Sequence, residues 1–335
     1  MDNQKILTIS VAAYNVEETL SKTLESMYDK RIEDDLEVLI IDDGSKDNTE
    51  KIAKEYEKKS PKIFRYIKKK NGGHGSTINK GIELAQGKYF KVVDGDDWVN
   101  TEALVAFINK LKYINSDLIL TDFMEIYPNK KNKVNLIQNM QPGKEYSWKD
   151  KINVEKVVLH TVTVKTNLLR KNHVYITEKC FYVDVEFVVW AAYVSHTITY
   201  LNIYLYMYRL GEANQSVAKS NMLKNVKMQE RVSYQLVKMY DQFIKSNSMV
   251  SNQKETIFNT LKRSIGSTMR TYLLMSTQVS KEKIKSFDNN IKKISLYTYN
   301  ELNNEAFIKL TRCLGYSLIP LIRISYRVWI LKYKY

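Results

Sequence analysis

The sequence predicts an α/β fold in which a mostly parallel central sheet, flanked by helices, precedes a C-terminal helical region. Three observations predict it. The first 100 residues alternate short β-branched runs with helical patterns in a βαβαβαβ order, which is typical of a parallel sheet covered by helices. Hydrophobic residues make up 44% of the 335-residue chain, enough to build a large core. Beyond residue 215 the apolar residues recur at helical spacing.

The predicted strands of the first half are short apolar runs joined by amphipathic segments. Leu20, Leu24 and Met27 recur at helical spacing between the first two strands. The predicted strands are residues 6–13, 36–41, 63–67 and 89–93, and the later helices are residues 49–58, 77–85 and about 100–112. Ligands of such sheets bind at the carboxyl ends of the strands. The polar loops that directly follow each strand are therefore the candidate site.

The middle of the chain has a weaker pattern, and its last third has a strong one. Residues 118–121, 157–164 and 198–205 are strand candidates, and residues 129–133 are expected to form a basic turn in solvent. Two apolar stripes at helical spacing follow residue 215. The stripes are Leu223, Val226, Val232, Leu236, Tyr240 and Phe243, then Ile257, Leu261, Ile265, Met269 and Tyr272.

The net charge of +15 is concentrated in the last third of the chain. Residues 216–335 hold 21 Lys and Arg against 7 Asp and Glu, whereas the rest holds 31 against 30. Such a basic region suits nucleic acid or an anionic membrane. We find no zinc-finger, RNP or helix-turn-helix motif, so we expect no nucleic-acid partner. Two distant cysteines, no signal-peptide pattern and no long apolar run predict a cytoplasmic protein.

Three carboxylates follow the fourth predicted strand within four residues. Asp94, Asp96 and Asp97 would repel one another unless a cation neutralised them, and hard oxygen ligands suit Mg²⁺ or Mn²⁺. Such an ion leaves positions open for diphosphate oxygens. The alternative is that Asp97 caps the helix that begins near residue 100.

Two other loops carry polar groups of similar interest. Asp43, next to Gly44, could accept hydrogen bonds from a nucleotide base; a capping box of Asp47 and Glu50 is the alternative. Residues 71–76, Asn-Gly-Gly-His-Gly-Ser, are similar to a glycine-rich phosphate cradle before a helix, although they form neither GxGxxG nor a Walker A loop. His74 would contact a phosphate or merely fill the loop, and residues 68–70, all Lys, are expected to be solvated.

These loops together resemble the family 2 glycosyltransferases of the GT-A fold, of the type that builds bacterial surface polysaccharide. The matching segments are residues 9–15 with Glu17, residues 37–45, residues 71–73 and residues 87–97 with their D-x-D motif. The resemblance is close over residues 6–100, weakens to 215 and is absent beyond. Ala12 stands where the family usually has Pro.

The resemblance implies a catalytic domain over residues 1–215, with a nucleotide-sugar half at about 1–100 and an acceptor half at about 101–215. Ala12, Tyr14 and Glu17 would line the nucleotide pocket. Asp43 would accept a hydrogen bond from the uracil of a UDP-sugar. Gly72 and His74 belong to the implied phosphate-binding loop.

The resemblance also implies metal and catalytic residues. Asp94 would contact the ribose or a metal-bound water, and Asp96 would ligate Mn²⁺ or Mg²⁺ at the diphosphate. Asp184 matches the family's catalytic base, with Val183 where Glu is usual; a single displacement needs one such base on the face opposite the leaving group. Glu186 is the second candidate, and a helix cap is the alternative for Asp184.

Two further residues have both a functional and a structural interpretation. Arg209 would contact the diphosphate or form a structural ion pair. His160 would either face the site as a metal ligand or be a hydrogen-bonded polar group near the core, and we favour the core interpretation.

The resemblance implies an inverting, metal-dependent transfer of a sugar from a nucleotide diphosphate to a glycan or lipid-linked glycan in cell-surface polysaccharide synthesis. One alternative is a nucleotide-sugar-binding assembly subunit without turnover at the membrane. Another is a basic helical nucleic-acid-binding protein. The acidic set of Asp43, Asp94, Asp96 and Asp184 is intact, which favours the enzyme.

Residues 306–335 combine six basic residues and no acid with apolar and aromatic side chains. This composition suits a helix that lies on an anionic bilayer, so we expect peripheral attachment to the inner face of the cell membrane. Pro320 is expected to kink the helix. The alternative is a last helix packed on the catalytic domain. Residues 216–305 would serve packing, homo-oligomer formation or acceptor binding.

Overall fold

The computed structural model describes residues 4–152, 154–211, 215 and 218–333. The chain divides into two compact units. The first comprises Met1–Glu212 with Val250–Thr256, and the second comprises Ala213–Met249 with Ile257–Tyr335. Among the described residues, the first unit contains every strand, whereas the second is helical.

The first unit is built on a ten-stranded mixed sheet in the order β3-β2-β1-β4-β9-β6-β10-β5, with β7 paired to β6 and β8 to β10. β1 is parallel to β2 and β4, whereas β9 is antiparallel to β4 and β6. The strands are β1 Leu7–Ala13, β2 Leu36–Asp42, β3 Phe64–Lys68, β4 Tyr89–Asp94, β5 Trp98–Val99, β6 Leu118–Tyr127, β7 Lys130–Val134, β8 Glu145–Ser147, β9 Val162–Lys165 and β10 Thr197–Arg209.

Helices cover the sheet in the first unit and form the second unit. In the first, they are α1 Leu20–Glu25, α2 Thr49–Lys59, α3 His74–Leu84, α4 Thr101–Leu111, α5 Thr166–Lys171 and α6 Asp184–Val194. They are followed by α7 Lys219–Lys224, α8 Val226–Lys245, α9 Ser251–Leu273, α10 Thr277–Ile294, α11 Leu296–Glu301, α12 Ala306–Tyr316 and α13 Ile319–Tyr333. Short 3₁₀ helices span Lys30–Ile32, Leu159–Thr161 and Leu302–Asn304.

The core lies around the central parallel strands. Side chains of β1 and β2 are buried on both faces of the sheet, which explains why these strands are nearly continuous apolar runs in the sequence. The buried carboxylate of Glu37 accepts hydrogen bonds from Thr8 Oγ1 at 2.6 Å and from the Gln86 amide at 2.8 Å. These hydrogen bonds therefore compensate for the cost of burying the Glu37 carboxylate in an apolar core.

Residues 129–133 were expected to form a turn in solvent; most of them are exposed, but the prediction of a turn is wrong. Most of them belong to β7, which pairs antiparallel with β6 so that Lys131 lies opposite Ile126. Lys130 and Lys131 are exposed, as expected of an edge strand that carries lysines. The residues thus extend the sheet by a hairpin.

The expected kink at Pro320 is also absent. Pro320 is the second residue of α13, where a missing backbone N–H interrupts no helical hydrogen bond. The chain instead breaks inside α12, where Leu314 has φ 50° and Gly315 has φ 61°. Across the described residues, none of the helices has the length and apolar character that crossing a bilayer requires.

Candidate active site

The parallel strands bring the polar loops to one edge of the sheet. Ala13 lies opposite Asp42 and Ala12 lies opposite Asp94 in the strand register. The Asp43 amide donates to the Ala13 carbonyl at 2.9 Å, and the Gly95 amide donates to the Ala12 carbonyl at 2.9 Å. The loops after β1, β2 and β4 are therefore neighbours, as predicted.

The loop after β1 is connected to the loop after β2 by hydrogen bonds. Asn15, with φ 50°, donates its amide to Ser45 Oγ at 3.0 Å. The Glu17 carboxylate accepts from the amide and side chain of Asn48 at 2.9 and 2.6 Å. Glu17 thus braces the second loop. Tyr14 is 47% exposed and remains open to a ligand at this edge.

Asp43 holds the glycine-rich loop in place by hydrogen bonds. Its buried carboxylate accepts hydrogen bonds from the amides of Gly72 and Gly73 at 2.9 and 2.7 Å. Lys69 Nζ and Ser76 Oγ donate to the same group at 2.7 and 3.2 Å. The carboxylate therefore fixes the loop that was predicted to hold phosphate.

Two sequence interpretations of this region are wrong. Lys69 is not part of a solvated face, because its ammonium bonds the buried Asp43. Asp47 and Glu50 do not form a capping box, since Asn48 is the N-cap residue of α2 and makes no side-chain cap. Asp47 instead accepts hydrogen bonds from the backbone of neighbouring loop residues.

The glycine-rich loop packs directly on the segment that leads to Asp184. The Lys179 amide donates to the Gly72 carbonyl at 2.5 Å. A Cβ at Gly75 would lie 2.2 Å from the Thr177 carbonyl oxygen, so no larger residue fits there. Buried Glu186 accepts from the Thr177 amide at 2.9 Å, which holds the segment in place.

His74, Asp94 and Asp184 come together at the site. His74 Nε2 lies 2.8 Å from Asp94 Oδ1. Burial lowers the pKa of His74, but the Asp94 carboxylate outweighs this effect and the pKa is raised. Burial raises the pKa of Asp184. His74 lowers this pKa and Asp94 raises it, and the net shift is upward. The charges of His74 and Asp94 thus both affect the ionisation of Asp184.

Asp97 supports the turn after β4 rather than a helix. Its carboxylate accepts from the Tyr206 hydroxyl at 2.6 Å and from the Arg209 amide at 2.7 Å. The N-cap of α4 is Asn100, whose side chain accepts from the Ala103 amide at 2.9 Å. The interpretation of Asp97 as a helix cap is therefore wrong.

Asp94, Asp97 and His160 form a close group of potential metal ligands. One ligand atom of each lies within 4.8 Å of the others. His160 Nδ1 is buried without a hydrogen-bond partner among the described residues, contrary to the expectation of a hydrogen-bonded core group. Burial lowers the pKa of His160 to about 4, so the imidazole is neutral. A neutral imidazole beside two carboxylates suits a divalent cation such as Mn²⁺.

Asp96, the other predicted ligand, is not one of the three residues of this group. Burial, reinforced by Asp94, raises the pKa of Asp96. Arg209 Nε donates to the Asp96 carbonyl at 2.8 Å, so Arg209 lies at the turn. The sequence favours a core role for His160 over a metal role, because its closeness to Asp94 and Asp97 arises from the tertiary fold.

Comparison with known proteins agrees with this geometry. A profile described as "Glycosyl transferase family 2" matches residues 8–175. The cholesterol galactosyltransferase of Borreliella burgdorferi is 25% identical over 227 residues, which are 63% of this chain and 63% of that protein. The poly(ribitol-phosphate) beta-glucosyltransferase of Bacillus spizizenii is 33% identical over 116 residues, 34% of this chain and 18% of that protein. Less than two thirds of either relative is matched.

The fold itself is shared with a protein of solved structure. S. aureus TarS 1–349 in complex with UDP-GlcNAc superimposes with a TM-score of 0.56 at 17% identity, covering 91% of this chain and 92% of that one. This confirms the predicted α/β fold of GT-A type with helices at the C-terminus. Because the family profile spans half of the residues and includes the loops described above, the chain belongs to glycosyl transferase family 2.

Proposed function

We propose that this chain is an inverting, metal-dependent glycosyltransferase that moves a sugar from a UDP-sugar to a glycan or lipid-linked glycan acceptor. The observation that carries the proposal is the convergence of Asp94, His74 and Asp184 beside a glycine-rich loop at the carboxyl edge of the sheet. Family membership supports the reaction class, and the site supports the assignment of roles.

Asp184 is the proposed base. The acceptor hydroxyl attacks the anomeric carbon and gives its proton to the Asp184 carboxylate, while the bond from that carbon to the diphosphate oxygen breaks and UDP leaves. The upward shift in the pKa of Asp184 makes the carboxylate a better proton acceptor. Glu186 is less suited, because it is fully buried and bonded to the Thr177 amide.

The nucleotide sugar is assigned to the loops around the glycine-rich segment. Ala12, Tyr14 and Glu17 would line the base and ribose pocket, and Asp43 would face the uracil. Gly72, His74 and Arg209 would contact the phosphates, together with the amino end of α3. The 47% exposure of Tyr14 supports its role, since its ring can pack on a ligand without a rearrangement of the core.

Asp94, Asp97 and His160 are the residues that would hold Mn²⁺ or Mg²⁺. Asp96, which the resemblance implies as a ligand, belongs to the same turn as Asp94 and Asp97. The unpartnered Nδ1 of His160 supports this assignment. A bound divalent cation would neutralise charge on the departing diphosphate. Burial raises the pKa of Asp97 well above its usual range, and Asp96 and Asp94 add to that rise, so the group is one that a cation would stabilise.

The acceptor is proposed to belong to a cell-surface polymer. Relatives are named for transfer to poly(ribitol-phosphate) and to cholesterol, and another is a minor teichoic acid biosynthesis protein. These names support a surface glycopolymer or a lipid-linked acceptor. We further propose that the enzyme attaches to the cytoplasmic face of the membrane through residues 306–335.

A panel of nucleotide sugars tests the catalytic proposal. Purified protein is mixed with each sugar and Mn²⁺, and thermal stabilisation and release of UDP or another nucleoside diphosphate are measured. One UDP-sugar should raise the melting temperature and be turned over, and EDTA should abolish both effects. Stabilisation without any turnover, with or without acceptor extracts, would favour the non-catalytic binding subunit. No response to any sugar would contradict both.

A further inference from the structure

Two cationic side chains lie over the indole of Trp98 next to the Asp94–Asp97 turn, and a third lies near them. Lys22 Nζ lies 3.2 Å from the centroid of the Trp98 ring, and Arg209 Cζ lies 5.3 Å from it. Lys131 is close enough to affect the ionisation of Lys22. In the part of the chain that the structure describes, no carboxylate pairs with Lys22 or Lys131 within 4 Å. We call Lys22, Arg209 and Lys131 the cation cluster.

The fold holds the cation cluster in place from three sides. Arg209 on β10 lies opposite Ile126 on β6, and Ile126 lies opposite Lys131 on β7, so one row of the sheet joins the two cations. Two strand spacings separate their backbones, about 10 Å. Residues opposite one another in a sheet project from the same face.

Helix α1 supplies the third cation by its attachment to the same turn. Thr19 Oγ1 donates to the Gly95 carbonyl at 2.8 Å, and Thr23 Oγ1 donates to the Asp97 carbonyl at 2.6 Å. These bonds fix the helix face that carries Lys22. The cluster is thus assembled by α1, β7 and β10 rather than by one flexible loop.

The electrostatics of the cluster favour an anion. Burial, and then the charges of Arg209 and Lys131, lower the pKa of Lys22. The face of the Trp98 ring attracts these cations and so opposes their mutual repulsion. A phosphate group placed between the cations would neutralise them and accept several charge-assisted hydrogen bonds.

We propose that the cation cluster binds phosphate groups of a phosphate-bearing acceptor through Lys22 and Lys131, with Arg209 shared between the acceptor phosphate and the donor diphosphate. The proposal rests on the proposed glycosyltransferase function and specifies its acceptor class. The cluster adjoins the Asp96 carbonyl through Arg209, so an acceptor held there would approach the donor site. A row of cations about 10 Å wide suits phosphates repeated along a chain. The donor diphosphate is the other source of the same chemistry, and the experiment separates the two.

The test measures the binding of two probes to the full chain by calorimetry. One probe is a glycerol-phosphate oligomer, with a neutral dextran oligosaccharide of similar length for comparison, and the other is UDP with Mn²⁺. The double variant Lys22→Ala/Lys131→Ala should bind the oligomer about tenfold or more weakly, since each lost phosphate contact is worth about 1 kcal/mol. Its affinity for UDP should match that of the unmodified protein.

Matched variants make the result specific. Lys144→Ala removes a lysine whose ammonium lies 5.1 Å from the ring of Tyr146 outside the cluster, and it should leave oligomer binding unchanged. Lys22→Arg/Lys131→Arg keeps the charges and should retain binding. Melting temperatures of all variants verify folding. Oligomer binding should also weaken as salt is raised, whereas binding of the neutral oligosaccharide should not exceed background.

Several outcomes would overturn the assignment. The oligomer would fail to bind the unmodified protein, or would bind the double variant equally well. A loss of UDP affinity alone would assign the cations to the donor diphosphate and would also overturn the acceptor site. If UDP and every UDP-sugar fail to bind while the oligomer binds, the proposed function fails and the phosphate site stands.

Discussion

Asp184 occupies the first position of α6, where its carboxylate is affected by both His74 and Asp94. Replacement by Asn preserves shape but removes the ability to accept the acceptor's proton. Asp184→Asn should therefore reduce turnover by roughly two to four orders of magnitude. Calorimetry should show UDP affinity within a factor of about two of the unmodified protein, because the nucleotide does not need this charge.

Glu186→Gln is the matched control for Asp184→Asn. The amide oxygen of Gln can still accept from the Thr177 amide, so the variant should keep turnover within a few-fold of the unmodified chain. Undiminished transfer by Asp184→Asn, combined with loss of transfer by Glu186→Gln, would move the catalytic role to Glu186.

His160 provides a test of the metal group. If its unpartnered Nδ1 ligates the ion, His160→Ala should weaken Mn²⁺ binding about tenfold or more, measured by the paramagnetic resonance signal of free Mn²⁺. His196→Ala, at an exposed residue, should bind Mn²⁺ normally. Equal Mn²⁺ affinity in the two variants would limit His160 to its packing against Tyr206 and Tyr208.

Asp122 predicts a pH dependence of stability. It is buried on β6, accepts from the Tyr200 hydroxyl at 2.8 Å, and has its pKa raised by burial to about 6. An unfolded Asp titrates near about 3.9, so the folded state binds the proton more tightly and the free energy of unfolding falls as pH rises between these values. Asp122→Asn should therefore raise the free energy of unfolding by about 1–2 kcal/mol at pH 7.

Urea unfolding at pH 7 and at about pH 4.5 checks the Asp122 prediction. Asn keeps the acceptor for Tyr200, so the gain should shrink at the lower pH, where the native carboxyl is already protonated. The same gain at both pH values would show that the ionisation of Asp122 does not cause it.

Single residues also mark the limit of sequence reasoning. The carboxylates after β2 and β4 could be predicted because buried apolar runs define the strands and the fold places their ends together. The partners of these carboxylates could not. Lys69 donates a hydrogen bond to Asp43, and Tyr206 donates one to Asp97 from more than a hundred residues away in sequence. No periodic pattern in the sequence indicates either contact.

At the scale of elements, α3 couples the glycine-rich loop to the segment before Asp184. Gly75 lies in its first turn, and an added Cβ would meet the Thr177 carbonyl oxygen at 2.2 Å. Backbone must move to accommodate it. Gly75→Ala should lower the free energy of unfolding by about 1–3 kcal/mol and reduce turnover by displacing the Asp184 segment.

Gly266→Ala is the control for Gly75→Ala. Gly266 lies inside α9, and its nearest neighbour is the flexible end of Arg270 at 3.2 Å, so the change should be neutral or stabilising by up to about 1 kcal/mol. Thermal and urea unfolding of both variants measures the difference in their stability. Equal stability of the two would show that the Thr177 contact relaxes without cost.

The elements differ in how well the sequence predicts them. Buried parallel strands such as β1 and β2 are continuous apolar runs, so their positions were predicted to within a residue. The predicted start of α3 is three residues too late. The helix begins after Gly73, whose φ of 80° cannot be predicted from the sequence pattern. β7 was missed because Lys and Asn favour turns, and only pairing with β6 makes it a strand.

At the scale of the whole molecule, the charge and the structure divide the chain at nearly the same place. Almost all of the net charge lies after residue 215, and the first compact unit ends at Glu212. Residues 250–256 are an exception, since they belong to the first unit. Asn252 and Gln253 donate side-chain hydrogen bonds to carbonyls of Trp148 and Ala192. The composition of residues 250–256 does not indicate that they belong to the first unit.

Exposed apolar side chains on α13 extend the argument for membrane attachment. Leu321, Ile324 and Val328 are 63%, 58% and 58% exposed and are spaced three and four residues apart, so they share one face. Arg323 and Arg327 donate to carbonyls of Met275 and Leu274, which holds the helix within the second unit. Because residues 216–335 carry a large positive excess, the proposed partner for this face is an anionic lipid surface.

Vesicle sedimentation tests the attachment. The full chain should bind phosphatidylglycerol vesicles and not phosphatidylcholine vesicles. Salt at about 0.5 M, roughly three times physiological ionic strength, should weaken this binding. Leu321→Ser/Ile324→Ser/Val328→Ser should reduce partitioning about a hundredfold, because each buried side chain contributes about 1 kcal/mol. Leu296→Ser, at a residue 56% exposed on α11, should bind as the unmodified chain does. If the triple variant instead converts a dimer to a monomer and vesicle binding is absent throughout, a second copy covers the face, and the basic charge of the tail serves association rather than lipid.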